Sequence, residues 1–354
     1  MRKPFSIEDI KEYTEKNRLP YSVHWTLTEE CNLRCLHCYM AKKPRYVSFD
    51  DAQYIIPFIK EKGYLKVTLS GGECLINPDF ARIYMMLKQS GFIVSIMTNG
   101  TNFTPELQEM IRQYPPSEVY VSIYGVDDAS FQKSTNSKVP FQRFIDGLEF
   151  LKSVKTRTTI QAPITRENID KIETFKEIAG TYGCDWHFAT FIFDSETGET
   201  QPVAERLPAK EIVDYICRDE QTVRDFRDKL RLLNEPPVPF EDKCSSCRNN
   251  LTINADNSFS FCGMMETIKF PFTRENIDAS YQSTIAFREK AVSLYNESSC
   301  AKCRLRNICP GCPAHCKLES GDFSKCNLYY REMTEYMIGK VSSNEIQKNL
   351  NMKP

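Results

Sequence analysis

Three cysteines stand close together in the first part of the chain. Cys31, Cys35 and Cys38 fall within eight residues, in the spacing C-x3-C-x2-C. A structural zinc ion takes four protein ligands, so three thiols cannot complete such a site by themselves. Thiolates are the usual ligands of a 4Fe–4S cluster, and three of them leave one iron open to a further ligand. The spacing therefore indicates either such a cluster or a zinc site that borrows a distant Cys or His.

Strand and helix patterns alternate around this triplet and beyond it. Residues 21–28 are rich in β-forming side chains and predict a strand that runs into the cysteine loop. Further strands are predicted at 65–70, 93–98, 119–123, 158–162 and 186–193. Helices are predicted at 6–16, 48–62, 79–90, 105–113, 141–154, 167–182 and 209–233. The alternation favours parallel βαβ units, and six strands are too few for a complete eight-stranded barrel.

Polar residues follow several of the predicted strands. In open α/β sheets, ligands bind at the carboxyl ends of the strands. After the second strand, Gly71 and Gly72 allow a close backbone approach, and Glu73 offers an acceptor for an ammonium group. The other candidates at strand ends are Asn99, Ser122 and Arg166. Lys42, Lys43 and Arg45, in contrast, are interpreted as a solvated face.

The triplet and the Gly-Gly-Glu motif resemble the radical S-adenosylmethionine (radical SAM) superfamily. The signature of that family is C-x3-C-x-Φ-C, with an aromatic residue or His at Φ, and His37 occupies this position. The resemblance implies that the amino and carboxylate groups of SAM chelate the open iron. It further implies that one electron from the cluster cleaves SAM to methionine and a 5′-deoxyadenosyl radical, which abstracts hydrogen from the substrate. The implied fold is α/β, an open (β/α)6 partial TIM-like barrel.

The same resemblance assigns roles to the candidate residues. It places Gly71, Gly72 and Glu73 around the amino group of SAM and His37 near its adenine. The remaining implied contacts of the SAM pocket are Asn99, Ser122 and Arg166. No catalytic acid or base follows from the motif.

The composition narrows the class of protein. The chain has 354 residues, of which 41% are hydrophobic and 26% charged, and its net charge is -1. This balance gives no electrostatic basis for binding nucleic acid or an anionic membrane. No apolar run reaches membrane-spanning length, and residues 1–16 contain no apolar h-region of a signal peptide. We therefore expect a cytoplasmic protein.

Cysteine usage points to a second metal-binding region. The chain has 15 Cys, and in a reducing compartment such a set indicates metal binding rather than disulfides. A Pro-rich stretch at 234–239 marks a domain boundary, and the residues after it are Cys-rich and irregular until a helix begins at Leu328 and runs to about Lys340. The predicted domains are an N-terminal helical segment (1–20), the partial barrel (21–233), a Cys-rich iron–sulfur domain (234–330) and a C-terminal helix and tail (331–354).

The Cys-rich domain resembles the SPASM extension of radical SAM enzymes, whose members carry two auxiliary 4Fe–4S clusters. On that pattern, the ligands of the first auxiliary cluster are Cys244, Cys247, Cys262 and Cys312. Those of the second are Cys300, Cys303, Cys309 and Cys326. The spacing after Cys309 departs from the family, so Cys316 is an alternative to Cys312. The implied cofactors are SAM and three 4Fe–4S clusters.

Several functions fit this sequence. SPASM enzymes often modify ribosomally made peptides by forming thioether or carbon–carbon crosslinks, and a peptide substrate is our first expectation. Formylglycine formation, as in anaerobic sulfatase maturases, is the alternative, although Gly263 stands where those enzymes carry an Asp. A small cofactor precursor is another possible substrate, and a non-catalytic metal-binding module is a distant one.

The implied partners follow from the peptide hypothesis. About 20 residues precede the first strand, which is too short for the leader-binding domain of many peptide maturases. Leader recognition would then fall to a separate leader-peptide-binding protein or to the barrel itself. The class also implies an electron donor such as a flavodoxin or a ferredoxin.

Overall fold

The computed structural model describes residues 6–195, 198, 201–239, 244, 246, 248–265 and 267–351. The chain divides into two compact units. The first unit is Met1–Glu205 with Ser245–Arg288, and the second is Arg206–Cys244 with Glu289–Pro354. The sequence-based domain ranges follow composition rather than contacts and stay predictions.

A nine-stranded sheet forms the centre of the first unit. Its strands are β1 (Ser22–Thr28), β2 (Lys66–Gly71), β3 (Ile93–Thr98), β4 (Glu118–Ser122), β5 (Thr158–Pro163), β6 (Asp185–Ala189), β7 (Asn250–Asn254), β8 (Ser258–Ser260) and β9 (Lys269–Pro271). They lie in the order β6-β5-β4-β3-β2-β1-β7-β8-β9. Strands β1 to β7 pair in parallel, whereas β8 and β9 are antiparallel additions. The predicted partial barrel of parallel strands is confirmed.

Helices connect the strands and make up most of the second unit. They are α1 (Ile7–Lys16), α2 (Phe49–Glu61), α3 (Phe80–Gln89), α4 (Pro105–Gln113), α5 (Asp128–Thr135), α6 (Phe141–Ser153), α7 (Ile172–Tyr182), α8 (Ala209–Ile216), α9 (Glu220–Leu230), α10 (Ile277–Asn296), α11 (Pro313–Ser320) and α12 (Leu328–Asn351). Side-chain caps start several of them where the sequence predicts. The Ser48 and Asp51 side chains form a capping box at the start of α2.

Side chains alternate along the strands, so that one face of the sheet is apolar and the other face, toward the cavity, is polar. In β1, Val23, Trp25 and Leu27 are fully buried. His24 and Thr26 point to the opposite face, where both line a central cavity. The sheet thus packs one face into the core and presents polar side chains on the other.

Two predictions about secondary structure were wrong, and one helix was missed. Residues after 240 are not irregular, since they contain β7, β8, β9, α10 and α11. β7 has five residues and pairs with β1, where Ser22 lies opposite Asn250. A partner so distant in the chain leaves no local signal. Helix α5 was also missed, and the helix predicted at 209–233 is interrupted because Asp219 caps a new helix, α9.

The predicted linker at 234–239 is tied down by one side chain of the second unit. The Asn307 amide donates to the carbonyl oxygens of Leu232, Glu235 and Pro236 at 2.9–3.2 Å. Its oxygen accepts from the Val238 amide at 2.8 Å. Across the part of the chain that the structure describes, no helix is both long and apolar enough to cross a membrane.

Candidate active site

A cavity of about 550 Å³ opens at the carboxyl ends of the parallel strands. Cys31, Cys35 and Cys38 line it together. Its wall also includes residues that end or follow strands β2 to β5, namely Ser70, Gly71, Gly72, Thr98, Asn99, Ser122 and Pro163. The predicted triplet and most of the predicted strand-end residues therefore face one space.

The two glycines hold the cysteine loop against β2. The Gly72 amide donates to the Thr28 carbonyl at 2.8 Å, and the Glu73 amide donates to the Glu30 carbonyl at 2.9 Å. A Cβ atom on Gly72 would lie 2.2 Å from the Glu30 oxygen, and one on Gly71 would lie 2.4 Å from the Thr28 oxygen. The close backbone approach expected from this pair is thus made by the loop that carries the thiols.

Glu73 lies behind the cavity wall. It is 1% exposed, and its carboxylate accepts from Thr98 Oγ1 at 2.8 Å, the Asn99 amide at 2.7 Å and the Leu75 amide at 3.1 Å. Burial raises the pKa of this carboxyl, and the hydrogen bonds act against that shift. Its Oε2 atom accepts one of these bonds, which leaves a lone pair for another donor. The predicted contact with the SAM amino group stays a prediction.

Asn99 connects the cysteine loop with the end of β3. Its amide nitrogen donates to Asn32 Oδ1 at 2.8 Å and lies 3.8 Å from Cys31 Sγ. Its oxygen accepts from Thr101 Oγ1 at 2.7 Å. The Leu33 amide also donates to Cys31 Sγ, at 3.4 Å. The first thiol is thus surrounded by neutral hydrogen-bond donors.

Helix α5, which the sequence did not reveal, supports the other side of the same loop. The Arg34 amide donates to the Thr135 carbonyl at 2.8 Å, and the Leu36 amide donates to the Ser134 carbonyl at 3.2 Å. Carbonyls in the last turn of a helix lack intrahelical partners. The cysteine loop therefore supplies hydrogen-bond donors to the last carbonyls of α5, and these hydrogen bonds hold the loop in place.

His37 and Ser122 reach the cavity, as expected, and Arg166 does not. The His37 ring lies 5.2 Å from that of Tyr124, which also lines the cavity. Burial, aided by Lys42, lowers the pKa of His37 to about 4, so the imidazole is neutral at pH 7. Arg166 is exposed and is not among the lining residues, so its implied SAM contact stays a prediction without local support.

The interpretation of Lys42, Lys43 and Arg45 as a solvated face was wrong for two of the three. Lys42 is partly buried, and its Nζ donates to Cys38 Sγ at 2.9 Å. Arg45 Nη1 lies 2.9 Å from Glu29 and 3.4 Å from Asp256. Lys43 is exposed. Lysine and arginine are usually exposed, so the residue types alone gave no sign that this loop folds over a cavity.

A charged wall lines the cavity on the side of β7 to β9. It consists of Glu29, Arg45, Asp256 and Lys269. Lys269 Nζ lies 3.0 Å from Asp256, which Arg45 also contacts. Hydrogen bonds and the two cations keep the pKa of Asp256 low despite its burial. The four charges pair with one another, so the wall is polar without a net charge.

The floor of the cavity carries a second imidazole. His24 Nε2 and Ser70 Oγ are 2.6 Å apart. His24 borders the cavity, yet protein surrounds it, and burial lowers the pKa of His24 to about 4. A neutral imidazole in contact with a hydroxyl can donate or accept a hydrogen bond. No sequence motif identified this pair.

Four thiols in the second unit line a separate, small cavity. They are the predicted ligands of the second auxiliary cluster, Cys300, Cys303, Cys309 and Cys326. The buried side chain of Arg306 lines it as well. Cys316 is fully buried and lies 3.9 Å from Cys300, Sγ to Sγ. The assignment of these ligands remains a prediction, and the cavity shows that the four thiols share one space.

The first auxiliary set is less complete in the structure. Cys262 belongs to the first unit, Cys244 and Cys312 belong to the second, and Cys247 lies outside the described residues. Cys312 is the N-cap residue of α11. The ligand set Cys244, Cys247, Cys262 and Cys312 therefore stays a prediction.

The donor set around the larger cavity fits an iron–sulfur cluster better than a single ion. Within the described residues, no three His, Cys, Asp or Glu side chains are arranged to hold one metal ion. Three thiols border a space of about 550 Å³, and thiolates with one open iron position are the ligands of such a cluster. Cys31, Cys35 and Cys38 would hold the cluster, and the remaining volume would admit a ligand to the open iron.

Comparisons with known proteins agree with this geometry. Residues 25–179 match the model of the radical SAM superfamily. An AdoMet-dependent heme synthase of Methanosarcina barkeri is 22% identical over 86% of this chain and 94% of that enzyme. The mycofactocin maturase MftC of Mycolicibacterium smegmatis is 28% identical over 46% of this chain and 43% of that enzyme. SuiB of Streptococcus suis, bound to its precursor peptide SuiA, superimposes with a TM-score of 0.67 over 92% of this chain and 82% of SuiB, at 15% identity.

These findings define the class of protein. The parallel partial barrel, the cysteine triplet on one cavity wall and the family match make residues 25–179 a radical SAM domain. Residues 25–179 thus belong to the radical SAM superfamily, and the protein is an enzyme.

Proposed function

We propose that this enzyme binds SAM and a 4Fe–4S cluster in the larger cavity and abstracts a hydrogen atom from a ribosomally made peptide. The cluster and SAM, when bound, supply the 5′-deoxyadenosyl radical. Cys31, Cys35 and Cys38 hold the cluster, and Gly71 and Gly72 fix their loop. The protein's own task is to orient both molecules and to exclude water from them.

The shape of the cavity rim carries the peptide proposal. The described sheet has β6 and β9 at its two edges. Phe193, which follows β6, and Gly263, in the connection between β8 and β9, both line the cavity. Tyr39 contacts both, with its ring 6.4 Å from that of Phe193 and its hydroxyl 3.3 Å from the Gly263 carbonyl oxygen. An opening beside the edge strand β6 suits an extended chain, because an edge offers backbone hydrogen-bonding groups.

The chemistry of the rim points the same way. Phe191, Phe193 and Met265 provide apolar surface, while Asp256 and Lys269 provide charges. Apolar pockets with a few placed polar groups are typical of sites that bind a defined side chain. The relatives support this reading, since MftC is a maturase and SuiB was crystallised with a precursor peptide. The modification we favour is a thioether or carbon–carbon crosslink or a related oxidation.

We further propose that two auxiliary clusters accompany the first. The support is the convergence of Cys300, Cys303, Cys309 and Cys326 on one small cavity. Auxiliary clusters would accept the electron that a substrate radical releases when its product forms. An external flavodoxin or ferredoxin would reduce the first cluster, and a separate protein would bind the leader if the barrel does not.

The proposal is tested with anaerobically reconstituted protein, SAM and dithionite. The substrates offered are synthetic peptides, deuterated at their side chains, that correspond to the short reading frames found beside the gene when its neighbourhood is sequenced. We expect deuterium in 5′-deoxyadenosine and a mass change in the peptide. The Cys31→Ala/Cys35→Ala/Cys38→Ala variant is the control. Release of 5′-deoxyadenosine without deuterium or a peptide product would refute the peptide proposal and leave the radical SAM chemistry intact.

A small-molecule substrate is a second candidate, favoured by one observation. The match to the heme synthase extends over 86% of this chain, whereas the match to MftC covers 46%. A heme precursor carries carboxylates that Arg45 and Lys269 would recognise after exchanging partners with Glu29 and Asp256. Incubation with a deuterated iron porphyrin in place of the peptide separates the two candidates, because only the true substrate transfers deuterium.

A further inference from the structure

Lys42 is the charged group nearest to the three thiols that face the larger cavity. Its Nζ donates to Cys38 Sγ at 2.9 Å. The side chain is partly buried and lines the cavity. Within the described part of the chain, Lys42 forms no ion pair with a carboxylate. A partly buried ammonium without an anionic partner is costly unless a ligand supplies the negative charge.

The hydrogen bonds to the thiols differ in strength. Cys31 Sγ accepts from the Leu33 amide at 3.4 Å and lies 3.8 Å from the Asn99 amide nitrogen. Those donors are neutral, whereas the donor to Cys38 is an ammonium. Charge-assisted hydrogen bonds are shorter and roughly twice as strong as neutral ones. Within the described residues, Lys42 therefore donates the strongest hydrogen bond to a sulfur atom of the triplet.

Lys42 shares one cavity with the whole triplet. Cys31, Cys35, Cys38 and Lys42 all line this cavity, and the Lys42 ammonium contacts Cys38 there. Charges in a partly buried site are screened less than charges in bulk water. The ammonium therefore acts on a group held by these thiols with little screening by solvent.

A fixed cation at this place changes the energy of reduction. Reduction adds one negative charge to a cluster, and a nearby cation stabilises the reduced form more than the oxidised form. Cluster potentials depend on net charge, on hydrogen bonds to the sulfurs and on solvent exposure. We propose that Lys42 is a positioning residue that raises the reduction potential of the cluster held by Cys31, Cys35 and Cys38, through its hydrogen bond to Cys38. This inference rests on the proposed cluster.

The experiment measures that potential directly, without SAM and without turnover. Wild type, Lys42→Met, Lys42→Gln and Lys42→Arg are reconstituted, and their iron is counted. Each is titrated with a mediated reductant while the signal of the reduced cluster is followed by electron paramagnetic resonance. The Cys31→Ala/Cys35→Ala/Cys38→Ala variant supplies the signal of any other clusters, which is subtracted. Lys16→Met is the matched control, since it removes the same charge from an exposed position that does not line the cavity.

We expect midpoint potentials that are more negative in Lys42→Met and Lys42→Gln than in wild type. Lys42→Arg should lie between them and wild type, and Lys16→Met should match wild type. Wild-type potentials in both neutral variants would overturn the inference. Loss of SAM binding in these two variants, at an unchanged potential, would also overturn it, because Lys42 would then bind SAM and not tune the cluster. Absence of any triplet-dependent signal in wild type would refute the proposed cluster, which is a different failure.

Discussion

The two thiol-lined cavities differ in the space that they leave around their sulfur atoms. In the first unit, three thiols border about 550 Å³. In the second unit, four thiols border about 20 Å³. A cluster held by the three thiols would have an open iron and room for a ligand on it, whereas four thiolates in a confined space would complete the coordination of a cluster. Ligand count and free volume therefore differ between the two proposed cluster sites.

The two cavities also share a feature. Each is lined by cations as well as by thiols, Lys42 among them in the first and Arg306 and Arg331 in the second. A cluster ligated by thiolates would carry negative charge, and a cation in a weakly screened site would offset it. The presence of nearby cations therefore does not distinguish the two cavities, whereas the number of thiols and the volume do.

The largest effect is expected when the three thiols that would hold the cluster with the open iron are removed. Replacing Cys31, Cys35 and Cys38 by Ala should abolish SAM cleavage, because only an open iron can both bind and reduce SAM. The protein should fall from about twelve irons to about eight, since the other thiols are untouched. Chromatographic assay of 5′-deoxyadenosine and iron counting check this. Continued cleavage in the variant would show that the catalytic cluster is elsewhere.

The next effect comes from the packing that holds the open site. In Gly72→Ala, the new Cβ would meet the Glu30 oxygen at 2.2 Å, so the cysteine loop must shift. We expect a loss of about 3 kcal/mol in stability and weaker iron retention by the triplet. Denaturant unfolding and iron counting provide the measurement.

Gly180→Ala is the matched control for that variant. Gly180 is exposed in α7, and a Cβ there meets no atom within 4 Å. This change should stabilise the protein by up to about 1 kcal/mol, since Ala is the better helix former. Equal destabilisation by both changes would mean that the contact between β2 and the cysteine loop has no special role.

The same contrast explains how much could be read from the sequence. The first six strands and their helices follow from local alternation, and α4 ends where predicted, at Gln113. The triplet is detectable because its ligands are adjacent in the chain. Local patterns thus predicted the parts of the fold and site that local residues determine.

What the sequence missed depends on distant contacts. β7 is a strand because it pairs with β1, and Arg45 is a cavity residue because Asp256 lies 3.4 Å away. His24 looks like any polar residue of a strand until Ser70 is placed beside it. Lys42 lies four residues after Cys38, but only the folded loop turns its ammonium toward the thiol. None of these relations has a spacing that a motif can express.

A smaller effect tests which of two thiols, Cys312 or Cys316, completes the first auxiliary cluster. Cys312→Ala should lose about a third of the iron if Cys312 completes the first auxiliary cluster. Cys316→Ala should keep its iron and lose about 1–2 kcal/mol of stability, because it removes a fully buried side chain. Iron counts and Mössbauer spectra of both variants decide between them. Iron loss in the Cys316 variant alone would reverse the assignment and make Cys316 the ligand that completes the first auxiliary cluster.

The smallest effect concerns the imidazoles that both units bury. Burial lowers the pKa of His24 in the first unit, and of His315 in the second, to about 4. An unfolded His titrates near 6.5, so between about pH 6.5 and 4 the unfolded chain binds more protons than the native protein. Stability is therefore complete above about pH 6.5 and falls as the pH drops toward 4. His24→Gln and His315→Gln should each flatten this slope by less than about 3 kcal/mol across the window, measured by denaturant unfolding at several pH values.

His187→Gln, which changes an exposed imidazole of β6, is the control. An unchanged slope in His24→Gln alone would mean that solvent in the open cavity hydrates His24 as well as in the unfolded chain, and the contrast between an open and a confined site would then extend to protonation.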